Sequence, residues 1–359
     1  MRQPSLFDVL RIHDPKTDRP PGDRLELYEY FAGAGGFATG AAQAGCSVVY
    51  ACDSCPRALE THRLNHPTTQ HQCVELPAPE AVAKLPTDGR RFHVHCSPPC
   101  VKLSCINHAN VAMSNRGARG LDRAVDMIEW SLEMMLASAC TSWSLEQVAE
   151  PASLEVVERV RQRHPRRVAY AAIDMSLLGV PQKRKRLIAA PPALLARLLR
   201  KCSKARVRTV RDVIAAPRGT HVRSGRSEKG RVKRASRREG ERQNDYTPAG
   251  WGDYCWSIDR PAPTVRARHA HSWVTVRDNT AVDHTVLSPI ELAALQTFPK
   301  GYKLPARKFD AYMQVGNAVP PLVAKLLLEE EAGGRGARPS TPSLRRATPV
   351  PRWAWPQER

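Results

Sequence analysis

The chain has 359 residues, with 55 Lys and Arg against 35 Asp and Glu, a formal net charge of +20. That excess points to a polyanionic partner such as nucleic acid, although a basic tail or a general bias toward arginine would raise it too. The apolar share of 42% suffices for a sizeable core in one large domain or two unequal ones, and no apolar run approaches the length of a membrane span. The polar opening Met1-Arg2-Gln3-Pro4 is no secretory signal, so the ten cysteines are expected to be reduced thiols inside a cell.

Residues 1 to 24, rich in Pro, Asp and Arg, are expected to form a loose arm. Leu25 to Phe31 alternates as a strand does and runs into Ala32-Gly33-Ala34-Gly35-Gly36-Phe37. A helix follows from Phe37 to about Ala44, with Gly45 as its stop. Strand, glycine turn and helix open a nucleotide-type binding unit, because glycines let a ligand approach the backbone closely. The turn is not G-x-G-x-x-G, which lowers the odds of a nicotinamide cofactor. Ser47 to Cys52 reads as the second strand, with Asp53 at its tip. An acid there can accept ribose hydroxyls, and it can equally cap the helix that starts near Pro56. Cys52-x-x-Cys55 lacks two further ligands, so no zinc site is expected. The helix runs through Leu64, and an irregular, proline-containing stretch reaches to about Gly89.

Phe92 to Cys96 reads as a buried strand that ends in Ser97-Pro98-Pro99 and presents Cys100. A thiol at the carboxyl end of such a strand is either a nucleophile or a small buried hydrophobe. Val101 to Gly120 is a long polar connection with the composition of a lid. Leu121, Val125, Ile128, Leu132 and Met135 mark one helix face. Trp143 to Val148 is a strand carrying Glu146 near its end, where a carboxylate must find partners. Residues 153 to 163 read as helix and 167 to 173 as strand. From Gly179 a turn feeds another strand, in which alternation puts Gln182, Arg184 and Arg186 on one face. That face is a basic edge or a row of donors aimed at an anion or a base edge.

Between Leu199 and Arg242 stand 16 positive against 4 negative side chains, net +12. The segment includes Arg206, Arg208 and Arg234, and it suits either a solvated loop or a phosphate-binding insertion. Trp251, Tyr254 and Trp256 add stacking surfaces. A helix is expected over Pro289 to Pro299, and a second after Gly316-Asn317-Ala318-Val319-Pro320-Pro321, with Asn317 near its amino end. The tail from Gly333 has a disordered composition.

These motifs, in this order, resemble the cytosine-C5 DNA methyltransferases over roughly residues 25 to 328. Phe31 to Phe37 is similar to the family's cofactor motif, and Pro99-Cys100 to its proline–cysteine motif. Glu146-Gln147-Val148 resembles its glutamate–asparagine–valine, and Gln182-x-Arg184-x-Arg186 its glutamine–arginine–arginine strand. Arg260 to Thr264, Leu295 to Pro299 and Gly316 to Pro321 resemble its closing motifs. Four features depart from the pattern: Val101, Leu103 and Gln147, and the lack of a clear acid near Gln72-Cys73-Val74.

The resemblance implies a doubly wound, mostly parallel α/β sheet of the Rossmann-like S-adenosylmethionine-dependent methyltransferase type, with a small basic target-recognition region. It divides the chain into an arm (1–24), a catalytic and cofactor-binding domain (25–190), a basic recognition region (191–258), closing motifs (259–331) and a tail (332–359). It implies catalytic roles for Cys100, Glu146, Arg184 and Arg186. For cofactor contact it implies Phe31, Gly33, Gly35, Gly36, Asp53, Ser54, Pro99, Leu121, Asn317 and Val319. For DNA contact it implies Ser104, Gln182, Arg206, Arg208 and Arg234. The expected cofactor is S-adenosyl-L-methionine, leaving S-adenosyl-L-homocysteine, with no metal. The expected partner is double-stranded DNA, bound by a monomer with no membrane association and with a cognate restriction endonuclease as a further partner. The expected compartment is the cytoplasm of a bacterium or phage host, or a nucleus. A tRNA cytosine-C5 methyltransferase and a catalytically silent nucleic-acid binder are the competing readings.

Overall fold

The computed structural model describes residues 24–99, 115–224, 254–267, 271–277 and 280–333. The arm, Cys100, Ser104 and the rest of 100–114, Arg234, Trp251 and the tail beyond Gly333 lie outside the described residues.

The chain opens with strand β1 (Glu26–Tyr30), helix α1 (Gly36–Gln43), β2 (Ser47–Asp53), α2 (Pro56–Asn65) and β3 (Gln70–Cys73). Next come α3 (Pro79–Val82), β4 (Phe92–Cys96), α4 (Asn115–Ala137), β5 (Ser142–Val148), α5 (Pro151–Arg163), β6 (Ala169–Asp174), β7 (Lys185–Ala190) and α6 (Pro192–Cys202). These strands form one sheet in the order β3-β2-β1-β4-β5-β7-β6. All neighbours pair parallel except β7, which runs antiparallel to both β5 and β6. The strand order reverses direction between β1 and β4, the point at which open α/β sheets leave a crevice beyond their carboxyl ends.

Alternation along the strands sorts side chains onto two faces. Tyr28 and Tyr30 of β1 join Phe92, Val94, Ile128, Leu132, Trp143 and Val156 in one cluster, covered by α3, α4 and α5. Leu25 and Leu27 join Phe37, Ile188, Leu194 and Leu198 in the other. The last helix, α9 (Pro321–Ala332), adds Val323 and Leu327 to that second face. Helices α1 and α9 approach so closely that a Cβ at Gly40 would stand 1.9 Å from the Pro321 carbonyl oxygen.

A second, antiparallel sheet has the order β11-β10-β8-β9, from β8 (His221–Ser224), β9 (Tyr254–Ser257), β10 (His271–Arg277) and β11 (Thr280–Val286). Its core holds Val222, Ile258, Val265 and the fully buried Trp273. Helices α7 (Pro289–Leu295) and α8 (Lys308–Asn317) pack there through Leu292, Leu295 and Val315. Ser288 caps α7 in a capping box with Glu291.

The structure departs from sequence expectation at several elements. The stretch before Gly89 contains β3 and α3, because β3 is a polar, four-residue edge strand without alternating apolar residues. Helix α4 begins at Asn115, inside the segment expected to be a connection. Helix α6 runs on to Cys202 and buries Leu194, Leu195 and Leu198 against the main sheet, so the basic stretch starts on an ordered helix. Asn317 is the last residue of α8, not the start of the helix after it. Helix α8 was not anticipated, since its buried positions include the polar Gln314.

Candidate active site

Two turns meet at the switch point. The turn after β1 needs a left-handed backbone at Phe31, Gly33 and Gly35, with φ of 58°, 54° and 88°. Ala32 N donates to Cys52 O at 3.0 Å, and Gly33 N donates to Asp53 Oδ2 at 2.9 Å. The other Asp53 oxygen accepts from Cys55 N at 2.8 Å. Burial pushes the Asp53 carboxyl above the ordinary carboxylate range, opposed by the N–H groups of Cys55 and Gly33. The Ser54 N–H bears on it as well, and a carboxylate with three donors keeps capacity for an outside one.

The three glycines assigned to the cofactor differ in surroundings. A Cβ at Gly33 would meet nothing within 4 Å, so open space borders the turn there. A Cβ at Gly35 would stand 2.9 Å from the His62 ring, and one at Gly36 would stand 2.3 Å from Val319 O. Gly33 therefore borders open space, whereas Gly35 and Gly36 are backed by protein. Val319 is buried with that carbonyl against Gly36, and Asn317 is exposed. Ser54 is exposed beside Cys73, whose Sγ lies 3.8 Å from Ser54 O. Open space at Gly33, with a shared-N–H carboxylate at the neighbouring strand tip, fits a ribose-bearing ligand such as S-adenosylmethionine.

The second turn follows β4. Ser97 Oγ donates to Phe31 O at 3.1 Å, so the two turns touch directly. Gln147 Nε2 donates to Pro98 O at 3.0 Å, and Gln147 Oε1 accepts from Val148 N at 2.8 Å. Gln147 thus ties the Pro98–Pro99 turn to β5, and Pro99 stands exposed beyond it. Cys100 is the next residue in sequence, outside the described residues.

Glu146 precedes Gln147 on β5 and is 7% exposed. Arg186 Nε of β7 lies 3.1 Å from Glu146 Oε1. The register pairs Arg186 with Val148, placing it diagonally across from Glu146 on the same sheet face. This is an ion-pair distance without hydrogen-bond alignment, and Glu146 Oε1 has no hydrogen-bond partner among the described residues.

The expected row of Gln182, Arg184 and Arg186 is divided. Strand β7 begins only at Lys185, so the two earlier residues lie in the joint between the sheets. Gln182 is fully buried, donating to Leu295 O and Gln296 Oε1 and accepting from Val265 N. Arg184 is 2% exposed and donates to the carbonyls of Val265, Gly316 and Ala318 at 3.1 to 3.3 Å. Arg184→Met is expected to destabilise the fold by about 3 kcal/mol or more, because the buried carbonyls of Val265, Gly316 and Ala318 lose a donor at roughly 1–3 kcal/mol each, Ala318 O keeping Gln296 Nε2. Urea unfolding followed by circular dichroism measures this. A midpoint equal to wild type would show that the strut carries no such load.

Arg206 is 82% exposed beside Asp212, and with Arg208 it borders a cavity of about 480 Å³ that reaches Gly179 and Leu322. Leu121 lies in α4 with its side chain outside the described residues. Gln296 stood within the Leu295 to Pro299 motif without a role of its own; it is fully buried and donates to Val315 O at 2.7 Å, a partner that spacing does not reveal. Among the described residues, no group of His, Cys, Asp and Glu is arranged to hold a metal, and no helix is long and apolar enough to cross a membrane.

Comparison with known proteins bears on this geometry. The family model for C-5 cytosine-specific DNA methylase matches residues 25–122 and 198–331. The chain is 26% identical over 321 residues to the Type II methyltransferase M.HgiDI of Herpetosiphon aurantiacus, covering 84% of this chain and 93% of that one. It is 24% identical to the Type II methyltransferase M.HindV of Haemophilus influenzae, covering 84% and 95%. In fold it is similar to a prophage-encoded protein of E. coli described as a DNA modification methyltransferase, with TM-score 0.57 and 16% identity over 86% of this chain and 99% of that one. It is also similar to the S. pombe Dnmt2 methyltransferase, with TM-score 0.53 and 15% identity over 86% and 98%. The doubly wound sheet is therefore Rossmann-like, as in these methyltransferases, and the chain belongs to the C-5 cytosine-specific DNA methylase family.

Proposed function

We propose that this protein transfers a methyl group from S-adenosylmethionine to C5 of cytosine in duplex DNA, through a covalent bond between Cys100 and C6. The observation that carries the reading is the buried Glu146 carboxylate. Its Oε1 lacks a hydrogen bond among the described residues, it sits 3.1 Å from Arg186 Nε, and its neighbour Gln147 holds the turn leading into Cys100.

Cytosine C5 is too weak a nucleophile to take a methyl group unaided. Addition of the Cys100 thiolate at C6 pushes electrons toward C5 and N3. Glu146 meets N3 with a proton, and Arg186 fixes the carboxylate and the O2 edge. S-adenosylmethionine, held at the open side of Gly33 with Asp53 on its ribose, supplies the electrophilic methyl. The C5 proton then leaves to water, the C6–Sγ bond breaks, and Glu146 takes back its proton from N3. A base inside a duplex must be flipped out to reach Glu146, and the basic 199–242 stretch supplies phosphate contacts, Arg206, Arg208 and Arg234 among them. The enzyme acts as a monomer, with a cognate restriction endonuclease as the partner activity.

The test is transfer of labelled methyl from S-adenosylmethionine by the purified protein to unmethylated duplex DNA and, in parallel, to tRNA. The expected result is 5-methylcytosine in DNA. Label in tRNA alone would replace the DNA reading with the RNA one. Cofactor binding without label in either would leave a nucleic-acid binder.

A further inference from the structure

We infer that Tyr302 is a positioning residue for the glycine turn, and that Asn65 holds it in place, so that cofactor affinity is set partly from the joint with the second sheet. The inference rests on the reading of that turn as the S-adenosylmethionine site.

Tyr302 lies in the loop between α7 and α8, far from the turn in sequence. Its hydroxyl donates to Ala34 O and would stand 3.2 Å from a Cβ at Gly35. Burial holds that hydroxyl well above its ordinary titration range, so it remains a donor at any working pH. The next N–H, of Gly35, donates to Ala32 O at 3.0 Å. Carbonyl and N–H of one trans peptide point in opposite directions. Tyr302 and Ala32 therefore grip the Ala34–Gly35 peptide plane from its two ends. That plane needs the grip, because a peptide flanked by glycine flips at little steric cost. A flip would turn the Ala34 carbonyl away and redirect the backbone beside Gly33, the side open to a ligand.

The Tyr302 loop is itself pinned to the cofactor half. Asn65, the last residue of α2, donates through Nδ2 to Lys303 O and accepts through Oδ1 from Lys303 N, both at 2.9 Å. The same amide donates to Thr61 O at 2.8 Å, fixing its rotamer. Gln314 of α8 donates to Arg57 O at 3.1 Å, a second tie between α2 and the same lobe. The Phe298 and Tyr302 rings lie 4.5 Å apart, which orients the phenol from its own loop.

The test is the affinity for S-adenosylhomocysteine, measured by calorimetry, with steady-state kinetics alongside. Tyr302→Phe keeps the ring and removes only the donor. It is expected to weaken binding by about tenfold and to raise KM for S-adenosylmethionine equally, with kcat retained at saturation. Asn65→Ala loosens the loop without touching the turn and is expected to act in the same direction, by about threefold. Should Tyr302→Phe fail to fold, the Asn65→Ala value decides. Wild-type affinity in the variants, or a fall in kcat at constant KM, overturns the inference. If the wild type binds S-adenosylhomocysteine but methylates no nucleic acid, the functional proposal fails while the affinities still decide this one. A wild type that does not bind it overturns both.

Discussion

Cys100→Ser is expected to abolish methyl transfer while S-adenosylhomocysteine binding stays at the wild-type level. A serine hydroxyl is far less nucleophilic than a thiolate near neutral pH. Without that addition C5 remains unreactive, so the rate should drop by about 10⁴-fold or more, the scale on which losing a nucleophile acts. Labelled-methyl transfer into DNA measures the loss. Calorimetry with the product cofactor shows that the turn at Gly33 survives. A serine variant that still transfers methyl would sink the covalent mechanism and leave direct attack by the base.

Glu146→Gln is expected to lower kcat by roughly 10²–10⁴-fold, the usual worth of a positioned general acid. The amide keeps the size of the carboxyl group and leaves Gln147 to hold the Pro98 carbonyl. The loss should therefore fall on chemistry rather than on folding or cofactor affinity. It replaces the carboxyl oxygen that Arg186 Nε faces at 3.1 Å, so a small drop in thermal stability should accompany the kinetic effect. Single-turnover rates with saturating DNA and cofactor isolate the step. Activity within tenfold of wild type would remove Glu146 from its proposed role.

Part of the candidate site was legible because it rests on local rules. A strand, a glycine turn and a helix follow from residues 25 to 44 alone, and the structure takes Gly33 and Gly35 to φ of 54° and 88°, where glycine is favoured, with Phe31 beside them at 58°. Asp53 stood out for the same reason, at a strand tip about one unit further on. Glu146 was conspicuous as a carboxylate in an apolar strand, and the structure buries it with Arg186 beside it. The doubly wound class came from the resemblance of the motifs, and the sheet bears it out with helices on both faces of its parallel strands.

What local rules missed has one cause. Gln182 and Arg184 look like a continuation of the Arg186 strand, but the strand starts at Lys185. Arg184 instead donates to the carbonyls of Val265, Gly316 and Ala318, while Gln182 accepts from Val265 N and donates to Leu295 O, all tens of residues away. Whether a donor faces solvent or a carbonyl depends on what packs above it, and spacing carries no record of that.

The sequence by itself determined the glycine and proline turns, since backbone conformational limits belong to each residue where it stands, and its ordered motifs, through their resemblance to a family, carried the sheet class and the candidate chemistry. Only the tertiary structure decided which glycine borders open space, that Gln147 holds the Pro98 turn, and that Tyr302 grips the Ala34–Gly35 peptide from the far lobe. Those are contacts between segments up to 268 residues apart, and their partners are chosen by packing, which acts through space rather than along the chain.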